Sequence, residues 1–164
     1  MTDPLRIAFD VACPVEHAFS TWTTRMSTWW PNHHTVSGDP GTDVVLEPGV
    51  GGRIYEQTTD GVEHVWGMVT VWEPPTRLGY RWHLGRDAAG ATDVQVHFAA
   101  TGATTTQVRI EHTGWERLGP AADVWRDRNH LGWTTVLPLF AAAAQGHEPG
   151  PHEVDRIRHQ RSQP

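Results

Sequence analysis

The chain has 164 residues, the length of one domain, and its 19 acidic against 13 basic side chains give a formal charge of -6 at pH 7. That balance argues against a phosphate backbone as partner, because nucleic-acid affinity rests on cationic side chains. Every basic residue is arginine and Cys13 is the one cysteine. This excludes a Schiff-base or P-loop lysine, an intrachain disulfide and a thiolate metal cluster within one chain.

The first element is a strand: in "LRIAFDVA", residues 5–12, Leu5, Ile7, Phe9 and Val11 alternate with Arg6, Ala8 and Asp10. "CPVEHAFSTWT" follows, with Pro14 suited to a helix start and Val15, Ala18, Phe19 and Trp22 at helical spacing. A second short helix is predicted over Met26 to Trp30 and is stopped by Pro31; "NHHTVSGDPGT" then reads as loop. From residue 42 onward, strand patterns alternate with turn signals: "TDVVLEP", "GVGGRIYEQTT", "VEHVWGMVTVW", "LGYRWHL", "TDVQVHFAA" and "TTTQVRIEH". No helix-length crossover separates them, so an antiparallel meander is expected. In the strand over 62–72 the parity is open: Val65, Val69 and Val71 compete with Trp66, Met68 and Trp72 for the inner face, and a bulge near Trp72 would reconcile them.

The last element is a long helix over about residues 117–145, with Trp125, Gly132, Trp133, Val136, Leu137, Phe140 and Ala144 on one apolar stripe. Such a helix spans about 40 Å and can lie across a whole sheet. Pro138 removes the N–H that would bond the Thr134 carbonyl, so a kink or opening is expected there. The domain is therefore expected to span residues 1–146. The segment 147–164, "HEPGPHEVDRIRHQRSQP", has no apolar period and is expected to be a disordered tail.

No apolar run reaches the ~20 residues of a membrane span and the N-terminus lacks a signal-peptide plan, so a cytoplasmic protein without stable membrane insertion is expected. No G-x-S-x-G or H-E-x-x-H motif occurs. The adjacent His33 and His34 have diverging side chains and read as loop rather than metal ligands. No metal and no cofactor are expected.

The order strand, two short helices, antiparallel strands and long C-terminal helix resembles the helix-grip, START-like (SRPBCC) superfamily. Within it, the chain is similar to homologues of the C-terminal domain of the activator of the ninety-kilodalton heat-shock protein ATPase. The resemblance covers roughly residues 5–145. It is carried by "CPVEHAFSTWT", "WW", "EPGVGGRIYE", "WGMVTVWEPPTRLGYRW", "TDVQVHF", "TTTQVRIEHTGWERLG" and "GWTTVL". It implies an α+β helix-grip fold, with a curved antiparallel sheet of six to seven strands wrapped on the long helix and a cavity between the two. The superfamily's roles range over hydrophobic-ligand carriage, aromatic-polyketide cyclisation, hormone sensing and co-chaperone work.

Strand parity sends Glu56, with Ile54, and His112, with Val108 and Ile110, toward such a cavity. There they would act as general acid and base or orient a ligand. Alternatively, Glu56 pairs with Arg53 or Arg81, and His112 satisfies the helix or a backbone carbonyl. Nine tryptophans are many for one small core. Trp22 and Trp125 are assigned to packing, whereas Trp30, Tyr55, Trp66, Trp82, Trp133 and Leu137 are expected to line the cavity, with Trp29 packing outside. The expected function is binding of a hydrophobic or aromatic small molecule, oriented by Arg53, Glu56 and His112. The alternatives are a cyclase, dehydratase or hydrolase using Glu56 and His112, and a co-chaperone-like interaction module. A homodimer is compatible with each reading. The family's separate N-terminal chaperone-binding domain is not present in these residues, so a chaperone partner is not expected.

Overall fold

The computed structural model describes residues 2–146; the expected tail lies outside the described residues. Seven strands form one antiparallel curled sheet: β1 (Leu5–Val11), β2 (Asp43–Leu46), β3 (Arg53–Gln57), β4 (Glu63–Glu73), β5 (Arg77–Trp82), β6 (Thr92–Gly102) and β7 (Thr105–Thr113). Their spatial order is β1-β7-β6-β5-β4-β3-β2, so the chain leaves β1 at one edge and meanders back to it from the other. The helix α1 (Val15–Trp22) bridges the jump from β1 to β2, and the long helix α2 (Ala122–Ala144) grips the inner face. This is the α+β helix-grip architecture.

The alternations read from sequence fall as expected. Val94, Val96 and Phe98 in β6, Val108, Ile110 and His112 in β7, and Leu78, Tyr80 and Trp82 in β5 are all buried. On α2 the buried stripe of Trp133, Val136, Leu137, Phe140, Ala143 and Ala144 faces them. α1 inserts Trp22 between sheet and helix, its ring 4.8 Å from Phe140 and 6.0 Å from Trp133. Trp29 does not pack outside: it is buried 5.6 Å from Trp22 and 5.3 Å from Phe140, and its indole N–H donates to the Thr21 carbonyl at 2.7 Å. The partner for its polar tip comes from the end of α1, which no periodicity reveals.

Strand β4 resolves its own parity by breaking it twice. Its pairing with β3 shifts register so that Ile54 faces Gly67 while Tyr55 faces Val65, which leaves Trp66 as an extra residue turned to the inside. Gly67 permits this because a Cβ there would lie 2.0 Å from the Arg81 carbonyl oxygen. A second shift, between Val69 and Val71, restores Trp72 to the side of Leu78. Trp66 and Val69 are consequently buried, while Val65 and Met68 are exposed on the outer face.

Helix α2 runs through Pro138 without interruption; Pro138 is exposed. The break in the helical run comes earlier. A 3-10 segment over Trp115–Ala121 turns at Gly119, with φ 57 and ψ -131, and α2 begins only after it.

Candidate functional site

At one end of the grip, three segments meet around an open slot. The loop after α1 brings Trp30 and His34, the end of β5 brings Trp82 and Leu84, and α2 presents Trp125, Arg128, Asn129, Gly132, Trp133 and Val136. Its volume is about 160 Å³. The α2 residues recur at three- and four-residue spacing, which puts them on one face, and Gly132 leaves the middle of that face bare. A Cβ added there would meet nothing within 4 Å.

The walls are rings braced by further rings. Trp30 lies 5.6 Å from Trp82 and 5.3 Å from Trp66, and Tyr80 supports Trp82 at 5.6 Å. Offset and edge-on ring pairs at these spacings each contribute about 0.5–1.5 kcal/mol beyond their buried area. The loop itself is tied down. The Trp30 indole donates to the His34 carbonyl at 3.0 Å, and Val36 and Ser37 donate their backbone N–H groups to the Glu56 carboxylate at 2.5 and 3.0 Å. These bonds anchor the rim that runs from Pro31 to Thr35.

Glu56 is fully buried and also accepts the Trp66 indole N–H at 2.8 Å. Burial raises its pKa, but the hydrogen bonds from Ser37, Val36 and Trp66 outweigh burial and hold the group below its ordinary value. It meets neither Arg53 nor Arg81. Arg53 is on the opposite face of β3, pairing with Glu47 at 3.3 Å and Glu63 at 3.1 Å and lying 4.4 Å from the Tyr55 ring. Arg53 and Tyr55 are therefore not beside the slot, because they share the parity opposite to Ile54 and Glu56.

His112 is fully buried under α2. Its Nδ1 accepts the Trp133 indole N–H at 3.1 Å, which assigns the proton of the neutral ring to Nε2 and directs it to Thr92 Oγ1 at 2.6 Å. Thr92 in turn donates to the Trp82 carbonyl at 3.3 Å. Burial first, then the Arg86 guanidinium, push the His112 pKa down to about 3. The ring of Trp115 lies 4.2 Å from the imidazole, and its indole donates to the His112 carbonyl at 2.9 Å.

Of the residues expected at the cavity, Trp30, Trp82 and Trp133 line the slot. Trp66, Glu56 and His112 stand behind those three, buried and hydrogen-bonded, and Leu137 is buried beside the slot without lining it. Trp125, assigned to packing, packs partly buried against the core and also lines the slot, with the Arg86 and Arg128 guanidiniums each 5.1 Å from its ring. Sequence reasoning also missed Leu84, Arg128, Asn129 and the opening above Gly132. A glycine in the middle of an aromatic helix face was the available signal. His34 lines the rim and His33, 4.6 Å away ring to ring, is exposed. Burial, then the neighbouring His33, hold the His34 pKa below its usual value. Among the described residues, no group of three or more His, Cys, Asp and Glu is arranged to hold a metal. Nor, among them, is any helix long and apolar enough to cross a membrane.

The sequence profile described as "Activator of Hsp90 ATPase homolog 1-like protein" matches residues 12–145. The chain belongs to that family. The matched span of this activator-homologue family takes in every element that lines the slot. Among solved structures, the chain is similar to an anthrahydroquino-Gama-pyrone synthase, Txn09, complexed with SUM. The two are 35% identical over 74% of this chain and 82% of that one, with a TM-score of 0.53. It is also similar to CalC, a self-sacrificing resistance protein from Micromonospora echinospora, at 26% identity over 88% and 96% of the two chains and a TM-score of 0.63. The Aha1 dimer from Colwellia psychrerythraea shares the fold at 15% identity, 89% and 98% coverage and a TM-score of 0.65. No curated protein matches the chain.

Proposed function

We propose that the chain binds an aromatic small molecule in the slot between the Trp82 wall and the Trp133 wall, with the outer edge of the ligand at His34, Arg128 and Asn129. Gly132 carries this reading. Glycine inside a helix costs about 1 kcal/mol relative to alanine. No packing contact demands a glycine here, since a Cβ would meet nothing within 4 Å. What it leaves open is the slot. Aromatic walls with a few polar groups at the rim are the usual composition of small-molecule sites. A space of about 160 Å³ suits one aromatic ring, given that a cavity of about 150 Å³ holds benzene; a larger ligand extends through the open side. The 35% identity with the synthase supports aromatic ligands as the class. The test is calorimetric titration with 2-naphthylmethanol. Wild type is expected to bind it and Gly132→Leu, whose side chain fills the slot, to lose at least tenfold in affinity, by the roughly 1.4 kcal/mol rule. Equal binding by the two proteins overturns the reading.

A second reading, catalysis on the bound ligand as a cyclase or other synthase, is favoured by the same relative. In that reading His34 exchanges the proton: its imidazole lines the slot, and its lowered pKa leaves it neutral near pH 7. Glu56 already accepts three hydrogen bonds, the free lone pair of His112 is taken by Trp133, and neither residue lines the slot. Replacing His34 with Gln separates the two readings. A binder keeps its affinity within a few-fold, whereas an enzyme loses at least about 10²-fold in turnover.

A further inference from the structure

The slot is apolar in its depth, yet its charge is of one sign. Among the described residues that line it, Arg128 is the charged side chain and no carboxylate is present. Its guanidinium lies 5.1 Å from the Trp125 ring. Arg86 lies at 5.1 Å from the same ring. Arg86 gives its N–H groups to neutral acceptors, the carbonyls of Gly90 and Trp82 and the Thr92 hydroxyl, and its buried Nε has no partner among the described residues. Neither arginine is in an ion pair among the described residues. Arg86 is half-buried, and a partly buried cation without a counter-charge is costly, a cost that an incoming anion relieves. Arg128 is exposed and places a second cation beside the same tryptophan, in a chain of formal charge -6.

The geometry points to an aromatic oxyanion as the ligand class: rings between Trp82 and Trp133, and a carboxylate, phenolate or enolate oxygen at Arg128. This rests on the slot being a ligand site. Arg128 reads the negative oxygen directly, while Arg86 holds Trp125 and adds to the potential from behind. Asn129 already gives one Nδ2 hydrogen to the Trp125 carbonyl at 2.8 Å, so Arg128 is the charged donor at a rim it shares with the His34 imidazole.

The test compares 2-naphthoate with 2-naphthylmethanol, which have the same rings and differ in charge, by calorimetry. Wild type is expected to bind the carboxylate about tenfold more tightly, the scale of one charge-assisted hydrogen bond. Arg128 is solvent-exposed, so Arg128→Met is expected to stay folded. It should abolish the preference for the carboxylate over the alcohol, and Arg128→Lys should restore part of it. Equal wild-type affinity for the two probes overturns the oxyanion assignment and leaves the slot reading standing. A preference that survives Arg128→Met overturns the role of Arg128. Failure of both probes to bind overturns the slot reading and this inference with it.

Discussion

A base that already accepts an indole proton on one nitrogen, and gives its own proton to a hydroxyl from the other, has nothing left to offer a ligand. That is the situation of His112 between Trp133 and Thr92, and its consequence is a pH dependence of stability. The folded pKa, about 3, lies below the unfolded value of ~6.5. Between the two, the unfolded chain binds a proton that the folded chain refuses. The stabilisation is therefore complete above pH ~6.5 and falls by up to about 1.4 kcal/mol per pH unit as the pH drops toward the folded pKa. His34 and His97 are shifted in the same direction, so the share of His112 is read as a difference. Urea unfolding between pH 7 and 5 is expected to show a shallower loss in His112→Gln than in wild type, and parallel slopes would refute the argument. Glu56 acts lower: its folded pKa is depressed, so its contribution is present above ~4.3 and lost as the pH falls through the folded value. At neutral pH, Glu56→Gln sets an amide NH₂ against one of three donors. It is expected to cost about 2–3 kcal/mol in denaturant unfolding. Strand parity made the burial of Glu56 and His112 legible in the sequence. The sequence offers the long helix as a partner of His112, and Trp133 on α2 is that partner; the Glu56 donors were not legible, because Val36 and Ser37 come from a loop about 20 residues away.

Strand β4 shows why an element can be recognised before its faces are known. Its β-branched and aromatic residues announce a strand, but two register shifts switch the inward set from Trp66 and Gly67 to Val69 and then to Trp72. A period-two count runs through neither. The first shift depends on the close approach of Gly67 to the Arg81 carbonyl, a contact between strands that no local pattern contains. Gly67→Ala places a methyl 2.0 Å from that oxygen, and a loss of about 2–4 kcal/mol is expected in equilibrium unfolding, the range of mutations that force a backbone shift. Gly132 is the opposite case. Gly132→Ala meets open space, and thermal unfolding is expected to show a gain of up to about 1 kcal/mol from helix propensity alone. The apolar stripe of α2 was legible from its spacing. Trp125, at the exposed end of that stripe, has the same period as the core positions, so only the surrounding arginines and the slot tell it apart.

For the molecule as a whole, strand alternation and one long apolar stripe pointed to an antiparallel meander with a helix facing it, and the grip of one on the other was implied by the resemblance to the helix-grip superfamily. Three walls of the slot, Trp30, Trp82 and Trp133, were among the residues expected at a cavity; its rim was not readable, since residues 30–34, 82–84 and 125–136 converge only after the sheet has curled. A ligand seated there ties the loop, the sheet end and the helix together and binds the folded chain alone. Saturation at about 100 times its Kd should therefore add roughly 2.7 kcal/mol to stability. Differential scanning calorimetry is expected to show the melting temperature rising with 2-naphthylmethanol in wild type and staying fixed in Gly132→Leu. The relay from Trp133 through His112 and Thr92 to the Trp82 carbonyl gives this cleft a mechanical character. It crosses from helix to sheet as a hydrogen-bonded spacer that ties the two indole walls together, like the jaws of a gauge. On the proposed reading such a gauge would sort guests by thickness, admitting flat rings ahead of puckered or bulkily substituted ones.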